Sequence, residues 1–286
     1  MFRTLACVVL LLCSNAVHAA TAKVAAAATL RHALEEIAPE FKKATGHDLK
    51  VAFGSSGNFY SQIMQGAPFD VFLSADTEFP QKLVDAKKAQ PPVRVYAEGR
   101  LVLLLPLQSR LKVDGRLKDL AAAMEDGRLT RLAIANPNVA PYGMRAKEAL
   151  SHAGLWGQAQ PRLVIGENVG QATQFATTGA AQAGLVALSL ALAPQLAAND
   201  GILRAVEIIC PQGNVLNPFP PAAVSVRHNT CQRFADTAIR ALVDLWPNLQ
   251  VAGSSVTFFG VNINCERITV FFKTSTIICC LISKKI

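Results

Sequence analysis

Short apolar runs alternate with helical periodicity from Lys23 to about Ile209, which predicts an α/β protein of mostly parallel strands with helices on both faces. Two further observations support this class. The chain has 286 residues, 51% of them apolar, enough for one large domain or two modest lobes, each with a core. Two of the expected helices are closed by glycines, Gly46 and Gly66, which take left-handed conformations without a Cβ penalty.

In chain order, Val24 to Ala28 reads as a buried strand, and Leu30, Leu34, Ile37, Ala38 and Phe41 then share one helical face that stops at Gly46. Pro39 inside that helix removes one backbone bond and should kink it. Leu49 to Phe53 is the next strand, Asn58 to Gln65 a short helix, and Val71 to Ser74 a third strand, after which Asp76 can cap a helix through Lys87. Ala89 to Pro92 reads as a linker-like break. Strands at Leu101 to Leu105, Leu132 to Ala135, Leu163 to Ile165 and Leu185 to Leu188 follow, with helices at Arg145 to His152, Gly170 to Thr177 and Ser189 to Leu196. Arg233 to Leu245 could form an amphipathic helix, while residues 256–286 show no clear period. Lys273 leaves their apolar stretch too short to span a bilayer.

The first 19 residues carry one charge, Arg3, then an apolar run from Leu5 to Cys13, with small residues at Val17 and Ala19. This pattern predicts a cleavable signal peptide at 1–19 and export; Leu12 before Cys13 disfavours a lipoprotein signal. Of seven cysteines, Cys7 and Cys13 fall in the leader and the others, Cys210, Cys231, Cys265, Cys279 and Cys280, in the last quarter. Their odd number and spacing fit neither a disulfide scaffold nor a zinc site. The net charge of +8 comes partly from the leader and the tail. No basic face with interleaved aromatics remains, which excludes nucleic acid as a partner.

Four strand-to-helix loops carry the chemistry: Ala28-Thr29-Leu30, Gly54-Ser55-Ser56-Gly57, Asn138 to Gly143, and Glu167-Asn168-Val169-Gly170. They offer hydroxyls and helix-terminal N–H groups, with Arg145 and Lys147 inside a helix rather than in the loops. That donor set suits a small, fully ionised anion. Taken singly, Thr29 and Ser56 read as ordinary N-caps, Gly57 and Gly143 as turn residues, and Tyr142 as a packed aromatic. An enzyme is not indicated. Gly54-Ser55-Ser56-Gly57 lacks the spacing of a nucleophile elbow and no Lys follows it to make a phosphate loop. His32, His47, His152 and His228 lie outside the four loops, and Asp70, Asp76 and Glu35-Glu36 form no catalytic pair.

The segments VAAAATLRHALEEIAPEFKKATG, FGSSGNFYSQIMQGAPFDVFLSAD, IANPNVAPYGMRAKEAL and GENVGQA, in this order, resemble the periplasmic molybdate-binding proteins of bacterial ABC importers. The resemblance runs from about Lys23 to Ile208 and implies a two-lobed type II periplasmic binding protein fold with the ligand cleft between lobes. Lobe 1 would span 22–99, completed by part of 206–250, lobe 2 would span 100–205, and 251–286 would be an atypical tail. It implies a periplasmic monomer that binds molybdate or tungstate through Thr29, Ser56, Tyr142 and the backbone N–H at Val169, and delivers it to an inner-membrane permease. The molybdenum would be held as its oxyanion without direct metal ligands, and no cofactor is implied. Many members carry a Tyr where this chain has Ala187, and the Tyr142 hydroxyl can substitute. After Ile208 the family pattern stops as the cysteines begin, as a shift in coding frame near Ile209 would produce. The alternatives are a receptor for sulfate, phosphate or ferric ion, and an exported serine hydrolase using Ser56.

Overall fold

A computed structural model of the chain describes residues 19–106, 109–112, 115–193, 203–207 and 277–283. Residues 1–18 of the expected leader at 1–19, the expected helix Arg233–Leu245 and all but residues 206 and 207 of the stretch 206–250 expected to complete lobe 1 lie outside the described residues. Strand β1 (Thr21–Ala27) leads through a 3-10 turn (Ala28–Leu30) into α1 (Arg31–Thr45). There follow β2 (Asp48–Gly54), α2 (Ser56–Met64), β3 (Val71–Ser74), α3 (Glu78–Asp85) and β4 (Gln90–Gly99). The second series is β5 (Leu101–Pro106), α4 (Lys118–Glu125), β6 (Leu132–Ala135), α5 (Pro141–His152), α6 (Trp156–Ala159), β7 (Leu163–Gly166), α7 (Val169–Thr177), β8 (Ala183–Ala187) and α8 (Leu188–Ala191). Two further strands, β9 (Leu203–Glu207) and β10 (Ile277–Ser283), come from the last third of the chain.

These strands form two five-stranded sheets, in the orders β2-β1-β3-β10-β4 and β7-β6-β8-β5-β9. Pairing is parallel around β1 and β6, where helical crossovers join the strands, as parallel pairing requires. It is antiparallel where β10 meets β3 and β4 and where β5 meets β8 and β9. Each sheet is thus mixed, with its parallel half on one side. Only Arg100 separates β4 from β5, so the chain passes from one sheet to the other over a single residue.

Local chemistry accounts for the elements. In α1, Leu34, Ile37 and Phe41 are buried, each contributing about 1.5–3 kcal/mol by removal from water. The helix continues through exposed Pro39 and ends where Gly46, at φ 74°, returns its N–H to the Lys42 carbonyl at 2.8 Å. Asp76 does cap the next helix: its Oδ1 accepts from the Phe79 N–H at 3.2 Å and from the Ser74 hydroxyl at 2.9 Å. That helix ends at Asp85 rather than Lys87.

The expected break at Ala89 to Pro92 is overturned, because Gln90 to Pro92 begin β4. As the outermost strand of its sheet, β4 needs few donated N–H groups on its free side and so tolerates prolines. The helix read as starting at Arg145 begins four residues earlier, at Pro141, whose missing N–H would be unpaired at that position anyway. Leu188 is in α8 rather than β8, and α8 ends at Ala191 with Leu192 in a turn, short of the expected end at Leu196.

Candidate functional site

The carboxyl ends of β1, β2, β3, β6 and β7 converge on one cavity, at the crevice where ligands sit in open α/β sheets. Its walls come from Ala27, Ala28 and Thr29 after β1, Gly54, Ser55 and Ser56 after β2, and Ala75 after β3. The second sheet supplies Ala140, Pro141 and Tyr142 before and within α5, and Asn168 and Val169 at the start of α7. Thr29, Ser56, Tyr142 and Val169 all line it, each at least nine-tenths buried. Ala187, at the end of β8, is not among the lining residues.

Helices α2, α5 and α7 each begin at this cavity, so their first-turn N–H groups, which have no partner within their own helix, and the positive ends of their dipoles lie around it. Among the described residues, no Lys, Arg, Asp or Glu side chain lines it. The nearby cations are engaged elsewhere. Arg31 stacks 4.4 Å from the centre of the Phe53 ring and bonds Glu35, and Arg145 bonds Glu148. Beside Ala75, burial holds the Asp76 carboxyl above the usual carboxylate range, against the opposing pull of its bonds from Ser74 and Phe79.

The hydroxyls are not equivalent. Ser56 is fully buried, and its Oγ accepts the Ala75 N–H at 3.0 Å. That bond occupies a lone pair and leaves the Ser56 proton to donate. The Thr29 and Ser55 hydroxyls are buried without a hydrogen-bond partner. Asn168, by contrast, is spent on its helix: its side chain accepts the Gln171 N–H at 3.1 Å.

Hydrogen bonds cross between the sheets around this cavity. Gly57 N–H donates to the Val139 carbonyl at 2.8 Å, Asn58 Nδ2 to Glu167 Oε1 at 3.1 Å, and Ser189 Oγ to the Thr29 carbonyl at 3.4 Å. Gly57 and Gly143 are not turn glycines, since neither has a positive φ. Each allows a close backbone approach instead: a Cβ on Gly57 would lie 2.6 Å from the Val139 oxygen, and one on Gly143 would lie 2.6 Å from the Asn136 carbonyl carbon.

The arrangement can surround a small anion with neutral donors. Among the described residues, the partner of Ser56 Oγ is a backbone N–H and no His lines the cavity. Among the described residues, no group of three or more His, Cys, Asp or Glu is placed to hold a metal ion. The two adjacent serines, alike in the sequence, are told apart by the backbone: the Ser56 Oγ has a partner and the Ser55 Oγ has none.

The sequence profile of the bacterial extracellular solute-binding proteins matches residues 22–239. The chain is 41% identical over 175 residues to the molybdate-binding protein ModA of Azotobacter vinelandii, covering 61% of this chain and 67% of that one. It is 43% identical over 166 residues to the ModA of Rhodobacter capsulatus, covering 58% and 63%. Against such curated relatives it therefore spans about two thirds of their length. Among solved structures, the periplasmic molybdate-binding protein of Azotobacter vinelandii matches with a TM-score of 0.55 at 36% identity, covering 65% of this chain and 85% of that one. The sulfate-binding protein SubI of Mycobacterium tuberculosis matches with a TM-score of 0.54 at 12% identity, a likeness of fold alone, covering 66% and 71%. With the profile spanning most of its length and a two-sheet architecture to match, the chain belongs to the bacterial extracellular solute-binding proteins.

Proposed function

We propose that the chain is a periplasmic receptor that binds molybdate in the cavity between its two sheets and delivers it to an inner-membrane ABC permease. The observation that carries this reading is the cavity itself. Four buried hydroxyls, those of Thr29, Ser55, Ser56 and Tyr142, and three helix N-termini line it, and among the described residues no charged side chain does. Its lining of hydroxyls and helix-terminal N–H groups suits one small tetrahedral anion.

Molybdate is fully ionised at neutral pH and asks only for donors. Phosphate then carries a proton that calls for an acceptor, and the lining holds no carboxylate. Sulfate has the same charge and shape but is smaller, and fixed donors cannot contract around it without leaving some unpaired. Tungstate shares the charge and geometry of molybdate and fits the same donors. The names of the relatives point to the same ligand. Thr29, Ser56 and Tyr142 donate their hydroxyls and Val169 its backbone N–H. One chain supplies every donor, so the receptor acts as a monomer, binds rather than catalyses, and needs no cofactor. Export by a cleavable leader places it in the periplasm.

Titration calorimetry with molybdate on the natural chain and on Ser56→Ala tests the donor assignment. The variant should bind about 1.5–3 kcal/mol more weakly, the worth of a hydrogen bond to a charged group. It should also melt at a lower temperature without anion, because the Ala75 N–H loses its partner. Unchanged affinity would reject Ser56 as a donor.

A further inference from the structure

We infer that Ser55 is a direct ligand-binding residue, so that α2 presents two adjacent hydroxyls to the anion. The inference rests on the anion-binding reading above and extends it to the neighbour of Ser56 in the same loop. Ser55 is 3% exposed and lines the cavity, and its Oγ is fully buried with no hydrogen-bond partner. It occupies the N-cap position of α2 with extended backbone (φ −84°, ψ 145°), where a serine ordinarily bonds an N–H of the first turn. Here it makes no such bond.

One of the N–H groups it would cap, that of Gly57, is given to the Val139 carbonyl of the other sheet. Asn168 shows the contrast, since at the N-cap of α7, on the same cavity, its side chain does cap its helix. A buried hydroxyl with no partner is costly, and a few buried polar groups of this kind are explained by an ion that comes and goes. The unpaired Thr29 hydroxyl lines the same cavity, so both orphaned side-chain oxygens of the site belong to one space. Ser55 thus differs from Ser56: the Ala75 N–H orients Ser56, whereas only the ligand engages Ser55.

The test is Ser55→Ala, with Ser55→Gly as a second variant that keeps a residue favourable at an N-cap but lacks the hydroxyl. Melting without anion and calorimetric titration with sodium molybdate are measured on each and on the natural chain. The expected result is an unchanged or raised melting midpoint in Ser55→Ala with affinity about ten-fold or more weaker at unchanged stoichiometry. Should Ser55→Ala fail to fold, the same loss is read in Ser55→Gly. Natural affinity in either folded variant would overturn the inference, and a lowered midpoint with natural affinity would make Ser55 a helix cap. The receptor reading fails separately, if the natural chain itself takes up no molybdate. The same comparison is then made with sulfate or tungstate, and the absence of binding of any of the three overturns both.

Discussion

Substituting Gly57 with Ala is expected to weaken molybdate binding about ten-fold or more, roughly 1.4 kcal/mol, while leaving the anion-free chain as stable as before or more so. Gly57 sits in the first turn of α2, where Ala is the better helix former by up to about 1 kcal/mol, and its φ imposes no demand for glycine. The cost arises across the cavity. An added Cβ would meet the Val139 oxygen at 2.6 Å and the Val139 Cα at 2.9 Å, both backbone atoms of the other sheet. The Phe79 ring edge, also at 2.9 Å, is a side chain and can turn aside. Relief therefore requires the two sheets to separate, which lengthens the 2.8 Å bond from Gly57 N–H to Val139 and spreads the donors gathered around the anion. Melting and calorimetry on the same preparation check both halves of this expectation. A variant of natural affinity would show that closure at Gly57 does not set the cage.

Gly143→Ala should act on folding. Its Cβ would lie 2.6 Å from the Asn136 carbonyl carbon and 2.7 Å from that carbonyl's oxygen, within the same lobe, so no movement between lobes relieves the clash. Asn136 cannot yield easily, since its N–H is bound to the Gly166 carbonyl at 2.7 Å and its carbonyl accepts from Ala140 at 2.9 Å. Overpacking of this kind costs about 3 kcal/mol at the upper end of its usual range, which lowers the melting midpoint by about 6–12 °C in a chain of this size. A thermal melt without anion reads it directly, and a midpoint within a degree or two of the natural one would contradict the packing described for α5 against β6. The two glycines, similar in sequence context, are thus separated by what they approach.

Much of this architecture is legible in the residues, and the exceptions have physical causes. Strands β3 and β6 are continuous apolar runs buried along their whole length, and their boundaries coincide with those expected from the pattern. Strand β4 was masked by its prolines, which an outermost strand tolerates. Helix α4 is entered through Leu117 at φ 58° with no capping side chain, so neither start signal that a sequence displays is present. Strand β10 pairs with β3 and β4 from some two hundred residues away, and local periodicity carries no information about such a partner.

At the site, the four loops were legible because each joins a strand end to a helix start with small or hydroxylated residues. Their convergence followed from topology. The allocation of roles within Gly54-Ser55-Ser56-Gly57 was not legible. Which serine is held by Ala75, which is left unpaired, and which glycine faces the other sheet depend on backbone placement to a fraction of an ångström.

The measurement that bears most directly on the receptor reading is a thermal-shift panel of the natural chain with molybdate, tungstate, sulfate and phosphate at matched ionic strength. A ligand that binds only the folded state raises stability by about 2.7 kcal/mol at one hundred times its dissociation constant. Molybdate and tungstate should raise the melting midpoint in proportion to the logarithm of their concentration, and phosphate should leave it unmoved. A midpoint indifferent to molybdate, or raised equally by phosphate, would contradict a cavity of neutral donors built for a fully ionised tetrahedral anion.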